Sequence, residues 1–249
     1  MKNRGFTLIE MVLTMVVGGI IVLGIAGFVE LGTKGYADSI DRQRMQTQAQ
    51  FVIEKLSREF RHAVPNSFEV PTTIADLKCL SFYPIKYSGF YVKKSGNIDI
   101  LIANESRYKS VGVLGGGLRL VINPTRNDDL KLGSSSLEVP DGLAPLFPTD
   151  RTRWNEYRMS ESSLTSSSIS NRFYIFDTNE RVNYCMSLTG RSIVRNGVQV
   201  ADNVEFNQSG FSYKEPTLQR GGLVYIDLLF EQDGEQSAYK QDVQVLNVP

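Results

Sequence analysis

The chain has 249 residues, 27 basic and 27 acidic side chains with zero formal net charge, two cysteines and one histidine. That length holds one sizeable domain plus an extra element, or two small domains. Zero net charge leaves no electrostatic footprint for nucleic acid, and a lone histidine with no CxxC spacing leaves no recognisable zinc site.

The first element carries most of the information. From Phe6 to Val29 the sequence "FTLIEMVLTMVVGGIIVLGIAGFV" holds one charge, Glu10. As a helix these residues extend about 36 Å, enough to cross roughly 30 Å of hydrocarbon with some tilt. Lys2 and Arg4 precede them, so the short N-terminus stays in the cytoplasm and the body faces outward. Three readings compete. A secretory signal peptide has a shorter apolar region and a small-x-small cleavage site, which "GIAG" at 24–27 only mimics. A plain signal anchor has no use for Glu10. The third reading is a cut after Gly5 that leaves the helix attached.

Glu10 separates them. A carboxylate near the lipid core costs a few kcal/mol unless it is partnered. The positive end of its own helix offers partial relief. A cut after Gly5 creates a stronger partner, the new α-amine of Phe6, which is itself a cation at apolar depth. Two such chains, staggered by about one helical turn, pair amine with carboxylate, and the buried charge becomes an assembly device.

The run Arg4-Gly5-Phe6-Thr7-Leu8-Ile9-Glu10 resembles the class III signal sequence of type IV pilins and type II secretion pseudopilins. In that family a prepilin peptidase cuts after the glycine and methylates the new terminus. The resemblance implies cleavage between Gly5 and Phe6, N-methylation of Phe6 and a pairing role for Glu10. Many major pilins carry a proline in mid-helix; here Gly18, Gly19, Gly24 and Gly27 stand in the span instead. Each glycine weakens a helix by about 1 kcal/mol and permits close helix contact.

Beyond Gly32 and Gly35, which mark a kink in this reading, the pattern turns amphipathic. Met45, Ala49, Val52, Ile53, Leu56, Phe60 and Ala63 recur every three or four residues as one stripe. Asp38 with Arg42, Glu54 with Arg58, and Lys55 with Glu59 are i,i+4 pairs on the other faces. Pro65 ends the helix. The stripe is expected to lie against a sheet.

After Pro65 come short runs rich in Val, Ile, Phe and Tyr: "CLSFYPIKY", "IDILIA", "LRLVI", "RFYIFD", "RVNYCMSL", "SIVR", "VQVADNVEF", "GFSY", "LVYIDLLFE" and "DVQVLNV". "EQDGE" between the last two reads as a hairpin turn. The expected fold is α+β: a long N-terminal helix, transmembrane in its first half and amphipathic in its second, packed on an antiparallel β-sheet head. Residues 1–5 form the leader, 6–29 the transmembrane and assembly helix, 30–64 the amphipathic helix and 65–249 the head. Residues 123–171, with four prolines and "SESSLTSSSISN", read as a loop excursion whose serine run is mobile. Trp154, between Arg153 and Arg158, either anchors a contact or pins that loop to the core.

Cys79 and Cys185 allow two readings, a single disulfide in a domain outside the cytoplasm or two buried thiols. Closing so long a loop would stabilise the fold by about 4 kcal/mol in the chain-entropy model. The cysteine contexts, "RHAVPNS" at the helix end and the closing "DVQVLNVP" are similar to the MshO-type minor pilins of the mannose-sensitive haemagglutinin pilus, and more distantly to pseudopilin J of type II secretion. The resemblance implies a structural protein of pilus biogenesis in the inner membrane, with its head in the periplasm and a later place in the pilus. The implied partners are the prepilin peptidase, other major and minor pilins and the pilus assembly machinery. Cys185 departs from the major-pilin pattern, in which the disulfide lies near the C-terminus.

No enzyme signature competes. His62 sits beside Arg61 near the helix end, where a cation is ordinary capping. There is no HExxH, P-loop or dinucleotide fingerprint. Gly115-Gly116-Gly117 reads as a strand turn, and Asn127-Asp128-Asp129 and Asp202-Asn203 lack EF-hand spacing. Neither catalytic residues, nor a metal, nor a cofactor is expected. The alternatives to a minor pilin are a minor pseudopilin of type II secretion and a signal-anchored periplasmic enzyme or binding protein.

Overall fold

A computed structural model describes residues 7–70, 76–103, 112–148, 155–160, 164–217 and 221–245. The chain divides into two units, Met1–Thr47 and Gln48–Pro249. One helix, α1 (Leu8–Arg61), runs uninterrupted through Gly32 and Gly35. Glycine removes side-chain packing but leaves the i→i−4 hydrogen bonds in place, so these two positions need not break the helix.

In the second unit the amphipathic stripe does what its spacing predicts. Ala49, Val52, Leu56 and Phe60 are fully buried, Ala63 nearly so, and Ile53 is half-buried at the edge of the stripe. The Glu54–Arg58 and Lys55–Glu59 pairs form on the flanks at 3.1 and 3.0 Å. The helix closes one residue before His62, whose amide donates to Glu59 O, and Ala63 N donates to Phe60 O. Pro65 lacks the N–H needed to continue it.

Among the described residues thirteen strands follow, all paired antiparallel. β1 (Leu77–Phe82), β8 (Val182–Ser187), β9 (Ser192–Arg195) and β10 (Val198–Ala201) form a four-stranded sheet in that order. Phe60 of α1 packs edge-on against Phe82 of β1 and Tyr184 of β8, with centroids 5.4 and 6.0 Å away, and against Phe68 at 5.6 Å. β11 (Gly210–Lys214), β12 (Leu223–Gln232) and β13 (Glu235–Gln244) form a three-stranded sheet. β12 and β13 are joined by Asp233 and Gly234 at φ 50° and 85°. Positive φ at both central residues is the geometry that Asp-Gly supports in a two-residue hairpin.

The third sheet, of six strands, runs β5 (Ser136–Glu138), β4 (Leu118–Val121), β7 (Arg172–Asp177), β2 (Tyr87–Lys94), β3 (Asn97–Ile102) and β6 (Glu156–Ser160). Every one of its strands lies between β1 and β8 in sequence. Those two strands pair up to Phe82↔Val182, so they form the neck of an inserted module. The module has its own core, in which Ile98, Ile100, Ile102, Tyr157, Phe173 and Ile175 are buried together. A smaller cluster, Val121, Leu130 and Phe176 with Val64, joins it to the segment after α1.

Two expectations need correction. "CLSFYPIKY" is not one strand: β1 stops at Phe82, Pro84 makes only an isolated bridge to Ala63, and β2 starts at Tyr87. β2 then runs on through "SGFYVKK". Gly89 dilutes its strand signal, yet the site demands glycine, because a Cβ there would lie 1.9 Å from Leu101 O. The stretch 123–171 is also more than a loop. It carries β5, β6 and a 3₁₀ turn, Asn127–Leu130. Part of the serine run is tied down: Leu164 is in the core, Thr165 and Ser166 amides donate to Ser134 O, and the Ser168 amide donates to Tyr91 Oη at 2.8 Å. Short polar strands that fill one sheet position each lack the apolar run by which strands are read. Trp154 and Arg153 lie outside the described residues.

Candidate functional site: the N-terminal helix

Gly5 and Phe6 lie outside the described residues, and α1 begins just after them. Thr7 is its N-cap. The Glu10 amide donates to Thr7 O at 3.1 Å and to Thr7 Oγ1 at 3.4 Å, which places Glu10 at the third helical position. Thr-x-x-Glu is the spacing of a capping box. Glu10 is the one acid of the first turn, where the partial positive charge of the helix end favours an anion. The Thr7–Glu10 spacing is readable in the sequence, and in the structure it is Thr7 Oγ1 that caps the Glu10 amide. The carboxylate itself is exposed, so capping leaves it available to a second partner.

Beyond Glu10 the helix surface is apolar on every side. Leu13, Met15, Ile20, Leu23, Ile25 and Phe28 are all exposed, and a Cβ built on Gly18, Gly19, Gly24 or Gly27 meets nothing within 4 Å. The polar exception, Thr14, turns its hydroxyl back to donate to Met11 O at 2.9 Å. A helix satisfied in every backbone and hydroxyl hydrogen bond but apolar all round needs lipid or other helices around it. α1 is long and apolar enough to cross a membrane.

On the head, the ionisable groups with shifted pKa values serve structural pairs. Arg158 donates to Asp99 through Nε and Nη2 at 2.5 and 2.8 Å, and this pair, joined by Lys94, holds the Asp99 carboxyl well below the usual range. Burial pushes Tyr213 up to about 12, and its hydroxyl donates to Asn66 Oδ1 at 2.8 Å. Burial would raise Glu59, but hydrogen bonds from Arg195 and Lys55 outweigh it and leave its pKa lowered. Asp129 Oδ2 accepts from Thr125 N, Thr125 Oγ1 and Arg126 N, which makes Asn127-Asp128-Asp129 a capped turn. Asn203, at φ 56°, donates to Gln232 Oε1 at 3.1 Å. Gly117 is a turn residue at φ 80°, and its carbonyl accepts from Thr178. Among the described residues no three His, Cys, Asp or Glu side chains gather as a metal site.

Cys79 and Cys185 stand opposite each other in the β1–β8 register, with Cα atoms 4.1 Å apart, and are joined as a disulfide. The bond crosses the neck of the inserted module, so it closes a covalent ring around the six-stranded sheet.

Residues 1–26 match the family model for the prokaryotic N-terminal methylation motif. No curated protein and no solved structure matches the chain. The motif and the exposed apolar helix together support a type IV pilin-like or pseudopilin protein, anchored in a membrane. The motif points to a structural protein rather than an enzyme. It implies processing by a prepilin peptidase and assembly with other pilins in a membrane machinery.

Proposed function

We propose that this chain is a minor pilin of type IV pilus biogenesis, of the kind that serves the mannose-sensitive haemagglutinin pilus. The observation that carries the reading is Glu10: one exposed acid in the first turn of a helix otherwise apolar for nearly twenty residues, inside the methylation motif. In this reading the peptidase cuts between Gly5 and Phe6 and methylates the Phe6 amine. Glu10 pairs with the Phe6 amine of a neighbouring subunit, which sets register and favours docking into a stack of helices over isolation in lipid. Residues 11–29 pack the filament spine, and the head, held in the periplasm before assembly, selects its neighbours and then travels with the pilus.

The mass of the N-terminal peptide, in cells with and without the prepilin peptidase, tests this directly. A mature chain beginning at methylated Phe6 only when the peptidase is present is the expected result. A chain that keeps residues 1–5 in both strains, or is cut beyond Gly27, overturns it in favour of an anchored or secreted periplasmic protein. A minor pseudopilin of type II secretion shares the same motif. Deletion that abolishes secretion but leaves pili intact would favour that role.

A further inference from the structure

Asn207-Gln208-Ser209 has the Asn-x-Ser pattern of an acceptor for N-linked saccharide, a group that belongs on the surface of an exported chain. Among the described residues it is the one such triplet, because Asn123-Pro124-Thr125 carries the proline that the pattern excludes. So short a pattern also arises by chance, and its place in the fold is what gives it weight.

The structure sets this triplet where a bulky group can stand. Phe206 and Ser209 are buried, and Asn207 and Gln208 between them are exposed. The buried flanks are fastened independently of Asn207. Lys78 Nζ donates to Phe206 O at 2.6 Å and to Ser209 O at 2.9 Å, and lies 4.5 Å from the centroid of the Phe206 ring. Ser209 Oγ accepts from Leu229 N of β12 at 2.9 Å. Upstream, Val204 bridges to Phe230, and downstream β11 starts at Gly210. The Asn207 side chain stays within its own turn, where Nδ2 donates to Glu205 Oε1 at 3.3 Å. A substituent on Nδ2 therefore projects to solvent without disturbing the packing of either flank.

We propose that Asn207 is an N-glycosylation site that takes an oligosaccharide from a lipid-diphosphate donor; this rests on the reading that the head is exported from the cytoplasm. Asn207 Nδ2 attacks the anomeric carbon and a nitrogen–carbon bond forms. The bond from that carbon to the diphosphate oxygen breaks, and its electron pair leaves with the lipid diphosphate. The proton lost from Nδ2 passes to a carboxylate of the transferase, and nothing is oxidised or reduced. The Ser209 hydroxyl, which completes the acceptor pattern, is held against β12 in the folded head. Transfer therefore precedes the pairing of β11 with β12.

The test is mass spectrometry of the full chain purified from its own cells, read on the tryptic peptide Asn196–Lys214. The expected result is a saccharide mass increment that fragment ions place on Asn207. Gln208→Pro, at an exposed position, should abolish the increment by breaking the acceptor pattern, whereas Gln208→Ala should keep it. A closed Cys79–Cys185 bond in both variants certifies that they fold and are exported. An increment that survives Gln208→Pro, or that sits on a serine of the peptide instead, overturns the proposal. Unmodified Asn207 in chains whose Cys79–Cys185 bond is closed overturns it and leaves the exported head standing. Unmodified Asn207 in chains with free thiols overturns both.

Discussion

Two stretches of the same helix, 11–29 and 48–60, meet opposite fates. Both are rich in apolar side chains and both are regular α-helix. In the first, Leu23 and Phe28 are 75% and 79% exposed; in the second, Leu56 and Phe60 are at 0%. The difference lies in the pattern. An apolar stripe with polar flanks finds its cover within the chain, in the sheet strands that follow. A helix apolar on all sides cannot be covered by one sheet, and its burial is left to lipid and to other subunits. Head stability and membrane anchoring are thereby separated along one element: the second stretch holds the head together, and the first is free to serve a membrane.

The sharpest way to break this contrast is to remove one apolar side chain from each stretch. Phe60→Ala takes away a fully buried ring that touches Phe68, Phe82 and Tyr184. It should cost roughly 3–5 kcal/mol of head stability in urea unfolding of the full chain in detergent. Leu23→Ala should cost the head less than about 0.5 kcal/mol in the same experiment. Equal losses would show that the two stretches are not energetically distinct.

Removing the disulfide by Cys79→Ser with Cys185→Ser should cost roughly 2–4 kcal/mol. Because the bond sits at the neck of the inserted module, exchange protection should fall first in β1 and β8 while β3 and β7 hold. Loss that begins in β3 would place the module's stability elsewhere.

A smaller effect is pH-dependent. The folded pKa of Glu59 lies below the ordinary glutamate value of 4.5, so its contribution is fully present above about 4.5 and is lost as pH falls through the folded value. The Glu59 and Arg195 side chains are 22% and 34% exposed, which limits the contribution to about 1 kcal/mol. Urea midpoints compared between pH 7 and pH 3 should therefore fall less in Glu59→Gln than in the wild type. Identical falls would remove Glu59 from the account.

The smallest effect on the head, and a large one on assembly, belongs to Glu10→Ala. Head stability and leader processing should stay as they are, and the amount of the protein in the sheared pilus fraction should drop at least about tenfold, the order of a lost charge-assisted pair. Normal incorporation would count against the pairing of Glu10 with a neighbour's amine.

Much of this was open to reading from the residues. The buried stripe from Ala49 to Phe60 follows from spacing alone, as does the Asp233-Gly234 hairpin. β2, β5 and β6 were not legible, because Gly89 and the polar "EYRMS" carry no strong strand pattern. Their membership in the sheet is decided by neighbours, Gly89 against Leu101 and Arg158 against Asp99. The first half of β13, "EQSAYKQ", is illegible for the same reason.

By itself, then, the sequence determined the methylation motif, the apolar helix with its single acid, and the change of helix pattern that divides membrane from head. These depend on residue type and local period, which are properties of the chain. Tertiary structure alone decided that β2–β7 form an inserted sheet and that Cys79 meets Cys185 at its neck. Those outcomes depend on which strands become neighbours across long sequence separations, and no local pattern encodes a neighbour.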